Sequence, residues 1–171
     1  TSVLPKIKPV VALEDDNAHA SKRSWLSRLK LDHFRNYQQA DLAIHAGQLV
    51  ILGDNGAGKT NLLEAVSLLA PGRGMRRAKT EHLAYRASGF ETTSGIADND
   101  DADRLDWAVA ATLENEDGTL QIGTGVPPSA KQGNRIMRLE GVTVSQADLG
   151  SRLAVSWLTP QMDGIFLDSP A

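Results

Sequence analysis

The stretch that most limits what this chain can become runs from Leu49 to Val66: Leu49-Val50-Ile51-Leu52, then Gly53-Asp54-Asn55-Gly56-Ala57-Gly58-Lys59-Thr60, then Asn61-Leu62-Leu63-Glu64-Ala65-Val66. Four apolar residues in a row predict a strand buried on both faces, the pattern of a central parallel strand. The eight residues after them satisfy G-x-x-x-x-G-K-[ST], the phosphate-binding loop. Gly53, Gly56 and Gly58 permit backbone conformations closed to residues with a Cβ and let N–H groups converge on an anion. Lys59 can reach the β- and γ-phosphates of a nucleotide, and the Thr60 hydroxyl can ligate Mg²⁺. Beyond Thr60 apolar residues recur at 62, 63, 66 and 69, so a helix is expected with its N-terminus toward the phosphates. The alternative is a chance Gly-rich turn. At average residue usage all four fixed positions coincide in roughly one chain of this length per hundred, and here the flanking strand and helix are also in place.

The remaining bulk properties narrow the class. A chain of 171 residues can bury a substantial core, and one domain is the default. Its 41% hydrophobic and 23% charged content is ordinary for a globular protein. No apolar run approaches the eighteen or so residues of a membrane span, and residues 1–24 lack the apolar core of a signal peptide. The absence of cysteine excludes disulfides, thiolate metal sites and a Cys nucleophile, and fits a cytoplasmic location. A net charge of −3 gives no global attraction to nucleic acid, so any such binding needs a local basic patch.

Along the chain, residues 1–24 mix Pro, Lys, Asp, Asn and Ser and read as a disordered tail, with Val10-Val11-Ala12-Leu13 its one apolar cluster. Leu29 and Leu31 alternate with Arg28, Lys30 and Asp32, which predicts a half-buried strand; Ala40, Leu42 and Ile44 predict a second. Pro71-Gly72 stops the helix after the phosphate loop. Arg73, Arg76, Arg77 and Lys79 then lie in a loop, either as a solvated charged turn or as contacts to phosphate. Residues 80–90 can hold a short helix. The acids at 98, 100, 101 and 103 miss the calcium-loop spacing and read as part of a flexible loop over 91–103. Leu105, Trp107, Val109, Ala111 and Leu113 alternate cleanly, and Asn115-Glu116-Asp117-Gly118 turns this strand into a hairpin with residues 120–125. With a third strand over 135–139, an antiparallel meander is expected at about 104–140. Ser145 should N-cap a short helix reaching Leu153. Ala154-Val155-Ser156-Trp157-Leu158 reads as another strand of the parallel sheet, and Trp25, Trp107 and Trp157 as core residues.

Phosphoryl transfer also needs a carboxylate at the end of an apolar strand. Ile165-Phe166-Leu167-Asp168 is the candidate, but it is short and closely follows Gly164, and it reads better as a helix or turn. The N-K-x-D element of GTPases is missing. The expectation is the first part of a longer ATPase whose acidic half-site is not in these residues. A phosphate-loop small-molecule kinase is the alternative from another class, although a simple kinase usually begins with its phosphate-loop strand. A transporter nucleotide-binding subunit is a third.

Leu31-Asp32-His33-Phe34-Arg35-Asn36-Tyr37 before a hairpin, with Gly53–Ala65 after it, resembles the SMC-like ABC-type ATPases. Gly72-Arg73-Gly74-Met75-Arg76-Arg77 and Trp157-Leu158-Thr159-Pro160-Gln161-Met162-Asp163 narrow that resemblance to the RecF family, over roughly residues 25–171. The resemblance implies an α/β phosphate-loop NTPase of the ABC head type, with a parallel core sheet and an antiparallel β subdomain. It implies ATP and Mg²⁺ as cofactors, an ATP-dependent homodimer, and binding to DNA at junctions of single and double strand. RecR- and RecO-like mediators, and recombinase loading at single-strand gaps, come with it; a membrane partner does not. Arg35 and Asn36 would line the nucleotide beside Gly53, Asp54, Asn55, Gly56, Ala57, Gly58, Lys59, Thr60 and Asn61. Gln161 would take the catalytic Q-loop position and, with Thr60, reach the metal. The signature motif and Walker B carboxylates would follow Ala171.

Overall fold

The computed structural model describes residues 7–9, 24–45, 49–86, 105–130 and 134–159. The elements in chain order are β1 (Ile7–Pro9), β2 (Trp25–Phe34), β3 (Tyr37–Ala43), β4 (Leu49–Ile51), α1 (Lys59–Leu68), β5 (Trp107–Asn115), β6 (Gly118–Val126), β7 (Ile136–Leu139), β8 (Val142–Val144) and α2 (Gln146–Gly150), with a single 3₁₀ turn at Thr80–His82. Alternation writes the main sheet. Leu29 and Leu31 point inward on β2, Ala40 and Leu42 on β3, and Trp107, Val109 and Ala111 on β5, while Arg28, Lys30, Asp41, Ala108 and Ala110 face out.

Two-residue turns join the hairpins. Arg35-Asn36 connects β2 to β3 in the register Phe34↔Tyr37, and Glu116-Asp117 connects β5 to β6 in the register Asn115↔Gly118. In the second turn the Asn115 side chain accepts the Asp117 N–H at 2.9 Å, a local substitute for a ladder bond. The six strands run β3-β2-β5-β6-β7-β8, all antiparallel. A register shift between Leu26 and Arg28 marks a bulge in β2, where the Ser27 hydroxyl donates to the Thr112 carbonyl.

The core lies between the inner face of this sheet and the two helices. Leu62, Ala65, Leu68 and Leu69 from the α1 segment meet Leu31, Phe34, Trp107, Val109, Ile122 and Met137, and Leu149 of α2 is fully buried. Phe34 and Trp107 stack with centroids 5.5 Å apart at 59°, and the Trp107 indole N–H donates to the Thr80 carbonyl. Each such side chain contributes about 1.5–3 kcal/mol by leaving water. Ser145 N-caps α2 as its sequence predicts, accepting the Asp148 N–H at 3.1 Å. Among the described residues no helix is long and apolar enough to cross a membrane.

Several expectations are corrected. Every strand pair among the described residues is antiparallel: β4, expected at the centre of a parallel sheet, pairs with β1, and Val50 and Leu52 remain 41% and 47% exposed. Two-residue turns impose this on β2–β3 and β5–β6, since parallel neighbours need a crossover of a dozen or more residues, whereas β1 and β4 pair across the intervening β2 and β3. Ile7–Pro9, read as part of a disordered tail, is the strand that pairs with β4. Residues 154–158 form no strand; their backbone finds no ladder partner among the described residues, and Leu158 is 88% exposed. The short helix expected within 80–90 is a single 3₁₀ turn at Thr80–His82, followed by a bridge from Ala84 to Phe34; residues 87–90 lie outside the described residues. Trp107 is core, whereas Trp25 and Trp157 are half-buried. The 91–103 loop, Val10–Leu13 and Ile165–Asp168 lie outside the described residues.

Candidate functional site

The phosphate loop runs from the end of β4 into α1 without a break. Gly56 at φ 85° and Gly58 at φ 95° take the left-handed backbone that residues with a Cβ avoid. Around them the Ala57 N–H turns back to the Asp54 carbonyl, and the Asn61 and Leu62 N–H groups close on the Gly58 carbonyl to start α1. Gly58 is the N-cap and supplies no side-chain acceptor to the first turn, so the helix opens with donors that an anion can take. The Lys59 ammonium donates to the carbonyls of Gly53 at 2.7 Å and Asp54 at 2.8 Å. Those partners are neutral, and its charge is therefore not cancelled within the loop. Thr60 lies exposed in the first turn.

The β2–β3 turn braces this loop from below. A Cβ on Gly58 would sit 2.5 Å from Asn36 Nδ2 and 2.6 Å from Tyr37 Oη, so the turn and the helix start approach as closely as glycine allows. Tyr37 is buried, its hydroxyl has no hydrogen-bond partner among the described residues, and burial raises its pKa above the usual phenol value. Asn61 Nδ2 donates to Asn36 Oδ1 at 2.8 Å, and Asn61 Oδ1 accepts from Arg76 Nη1 at 3.0 Å. Arg35, at φ 56°, forks onto Glu64 of α1: Nε to Oε2 at 2.9 Å and Nη2 to Oε1 at 2.7 Å, with Nη1 on the His82 carbonyl. Arg76 approaches the same carboxylate at 3.5 Å. A closed ring of side chains thus joins the hairpin turn, α1 and the basic loop.

Three residues of this arrangement carry no local signal. Glu64 is 1% exposed although it sits next to Leu63, which is 52% exposed; α1 buries 62, 64, 65, 67 and 68, a face that apolar spacing alone does not select. Ser67, also buried, donates to the Glu64 carbonyl and accepts the Met75 N–H at 2.9 Å, which pins the basic loop to α1. Arg135, just before β7, donates to Thr124 Oγ1 and to the carbonyls of Leu68, Ala70 and Gly72. Burial lowers its pKa below the ordinary arginine value. A buried polar residue is visible in sequence only as an exception to periodicity, and its partner is set by the tertiary fold.

Of the residues singled out by sequence, Gly53–Asn61 and Asn36 come together around the loop. The Asn36 and Asn61 amides are bonded to one another, and the Arg35 guanidinium is held by Glu64. Gln161 lies outside the described residues. The donor set fits a polyphosphate: left-handed glycines, an uncapped helix start, and an ammonium held by carbonyls alone. Among the described residues no three His, Asp or Glu side chains converge as a metal site, and the Thr60 side chain stands exposed at the start of α1. The two shallow grooves on the outer face of the sheet, lined by Lys30, Asp41, Ala110 and Arg138, lie away from it.

The family described as the RecF/RecN/SMC N terminal domain matches residues 25–162. The chain is 46% identical over 142 residues to a DNA replication and repair protein RecF of Rhizobium johnstonii, covering 82% of this chain and 34% of that protein. A protein of the same description from Agrobacterium fabrum is 43% identical over 145 residues, with 84% and 35% covered. The chain therefore spans about a third of the length of the curated relatives it matches. Among solved structures, that of the recombination mediator protein RecF-ATP in the RecFOR pathway superposes with a TM-score of 0.61 at 21% identity, over 84% of this chain and 35% of that one. The phosphate loop, the hairpin beneath it and the family match agree: the chain belongs to the RecF/RecN/SMC N-terminal domain family, matches RecF within it, and has a phosphate-loop NTPase fold.

Proposed function

We propose that the chain is the nucleotide-binding part of a RecF-type ATPase acting in DNA replication and repair, and that it binds ATP with Mg²⁺ at Gly53–Thr60. The observation that carries this reading is the Lys59 ammonium, poised over a left-handed glycine turn with only carbonyl partners. In this role the backbone N–H groups of Gly56 and Gly58–Thr60 would take the phosphate oxygens, and Lys59 would exchange its carbonyl contacts for the β- and γ-phosphates. Thr60 provides a hydroxyl to the metal. Asn36 and Tyr37 keep the loop in register from below, and Asn55 and Asp54 form its exposed rim. Bound ATP supplies the phosphoanhydride whose cleavage the whole protein would use. Gln161 is proposed as the residue that senses the γ-phosphate.

For the whole protein the reading extends to DNA at single-strand gaps, an ATP-dependent homodimer, RecO- and RecR-like mediators, recombinase loading and a cytoplasmic location. What supports the DNA part is the basic loop: the Arg73 and Arg77 side chains are exposed, the Arg77 backbone N–H turns back to the Gly74 carbonyl, and the relatives are described as DNA replication and repair proteins. Isothermal calorimetry tests the site. Lys59→Ala should lose measurable ATP binding, because it removes the only cation inside the loop; unchanged affinity in that variant would sink the assignment.

A further inference from the structure

The helix that carries the phosphate loop is held at its other end by a residue from a distant part of the chain. The last turn of α1 has no basic residue of its own, and carbonyls at a helix end need donors from outside the regular helix. The Leu69 N–H takes the Val66 carbonyl, and Arg135 takes that of Leu68, the last residue of α1, with those of Ala70 and Gly72 just beyond it. Its Nη2 donates to the Leu68 carbonyl and, at 3.3 Å, to the Ala70 carbonyl; Nη1 donates to Gly72 O at 2.5 Å, and Nε to Thr124 Oγ1 at 2.6 Å. Every one of these partners is a neutral oxygen, and no carboxylate pairs with Arg135 among the described residues. A partly buried cation without a counter-ion is costly unless a fixed dipole faces it. The carbonyl end of a helix is such a dipole, worth roughly half a negative charge. The guanidinium accordingly sits where the helix is most negative, and its planar fork reaches three carbonyls that a point charge could not hold together.

The mechanical consequence follows from the shape of α1. Ten residues make a stiff rod of about 15 Å, with the Lys59 ammonium and the first-turn N–H groups at one end and Arg135 at the other. Its N-terminus has no side-chain cap, its first turn is tied by Asn61 to Asn36, and its middle is held by Glu64 on Arg35. We infer that Arg135 is a positioning residue for the nucleotide site: by gripping the carbonyl end of α1 against β6 and β7, it fixes where the Lys59 end presents its donors. The same grip on Gly72 sets the point from which the basic loop leaves the helix. This inference rests on the reading of Gly53–Thr60 as the ATP site.

The test compares ATP dissociation constants, measured by calorimetry well below the unfolding temperature, with the Tm of each variant. Arg135→Gln should weaken ATP binding about tenfold, and Arg135→Lys, which keeps the charge but not the fork, about threefold. Thr124→Val removes the Nε partner and loosens the same packing while leaving the guanidinium on α1. It should lower the Tm by a similar amount and leave the ATP dissociation constant within about twofold. An unchanged constant in Arg135→Gln, beside a Lys59-dependent constant in the unsubstituted protein, overturns the inference alone. So does a Thr124→Val effect on affinity equal to that of Arg135→Gln, because a general loosening would then explain both. If Arg135→Gln does not fold, Arg135→Lys decides, and an unaltered constant there is fatal. An unsubstituted protein that binds no ATP overturns the reading of the site, and this inference with it.

Discussion

Glu64 stands one residue after a leucine that is half in solvent, yet its own carboxylate is 2% exposed and shared by two guanidiniums. Burying an acid this completely is tolerable because Arg35 takes both oxygens in a fork, and because Arg76 adds a longer contact. Removing one member leaves the other charge stranded. Glu64→Ala should therefore cost about 3–5 kcal/mol, read as a lower urea midpoint, with Glu64→Gln losing less because it retains one acceptor for Arg35. A midpoint equal to that of the unsubstituted protein would show that Arg35 finds equivalent partners elsewhere. At this scale the sequence reveals residues whose chemistry is local and hides those whose chemistry is not. The turn at Gly53–Thr60 and the helix after it were legible because the motif that predicts them is written in consecutive residues. Arg35 was marked by resemblance as a nucleotide contact, but its guanidinium is spent on a helix residue 29 positions away, a distance no periodicity encodes. Arg135 and Ser67 were not marked at all, for the same reason.

The elements were more legible than the residues. Strict alternation placed β2, β3 and β5, the Asn115–Gly118 turn set the β5–β6 register, and a serine cap announced α2. What could not be read was which strand neighbours which. An unbroken apolar run predicts burial on both faces, but pairing depends on chain far from the run, and β4 is joined by Ile7–Pro9 from a stretch with no strand signal. Residues 154–158 show the converse, since apolar composition without a partner among the described residues yields no ladder. The β2–β3 turn and the start of α1 are in close contact, and this can be tested at Gly58. An alanine there combines φ 95° with a Cβ 2.5 Å from Asn36 Nδ2, so strain of about 1–3 kcal/mol adds to displacement of the turn. Gly58→Ala should retain its circular dichroism spectrum and lose ATP affinity. Normal affinity would mean that the turn yields without moving the loop.

For the molecule as a whole, a formal charge of −3 means that any polyanion must be met locally. Arg73 and Arg77 project from a loop fixed by Arg135 at Gly72, by Ser67 at Met75 and by Asn61 at Arg76. If this loop meets DNA, Arg73→Ala and Arg77→Ala should each weaken binding and reduce the slope of log K against log salt by about one. Fluorescence anisotropy titrations at several salt concentrations measure that slope, and slopes identical to the unsubstituted protein would place the surface elsewhere. Arg76 differs from its neighbours, being tied to Asn61 and Glu64. The order in which these ties occur along the chain has a consequence for synthesis. Arg35 and Glu64 are 29 residues apart, whereas Arg135 and Leu68 are 67 apart. On a chain made from its N-terminus, the hairpin that braces the phosphate loop is complete before the loop itself emerges. The clamp on the far end of the same helix waits for Arg135, translated 67 residues after the Leu68 it grips, so the cradle takes its shape before it gains its rigidity.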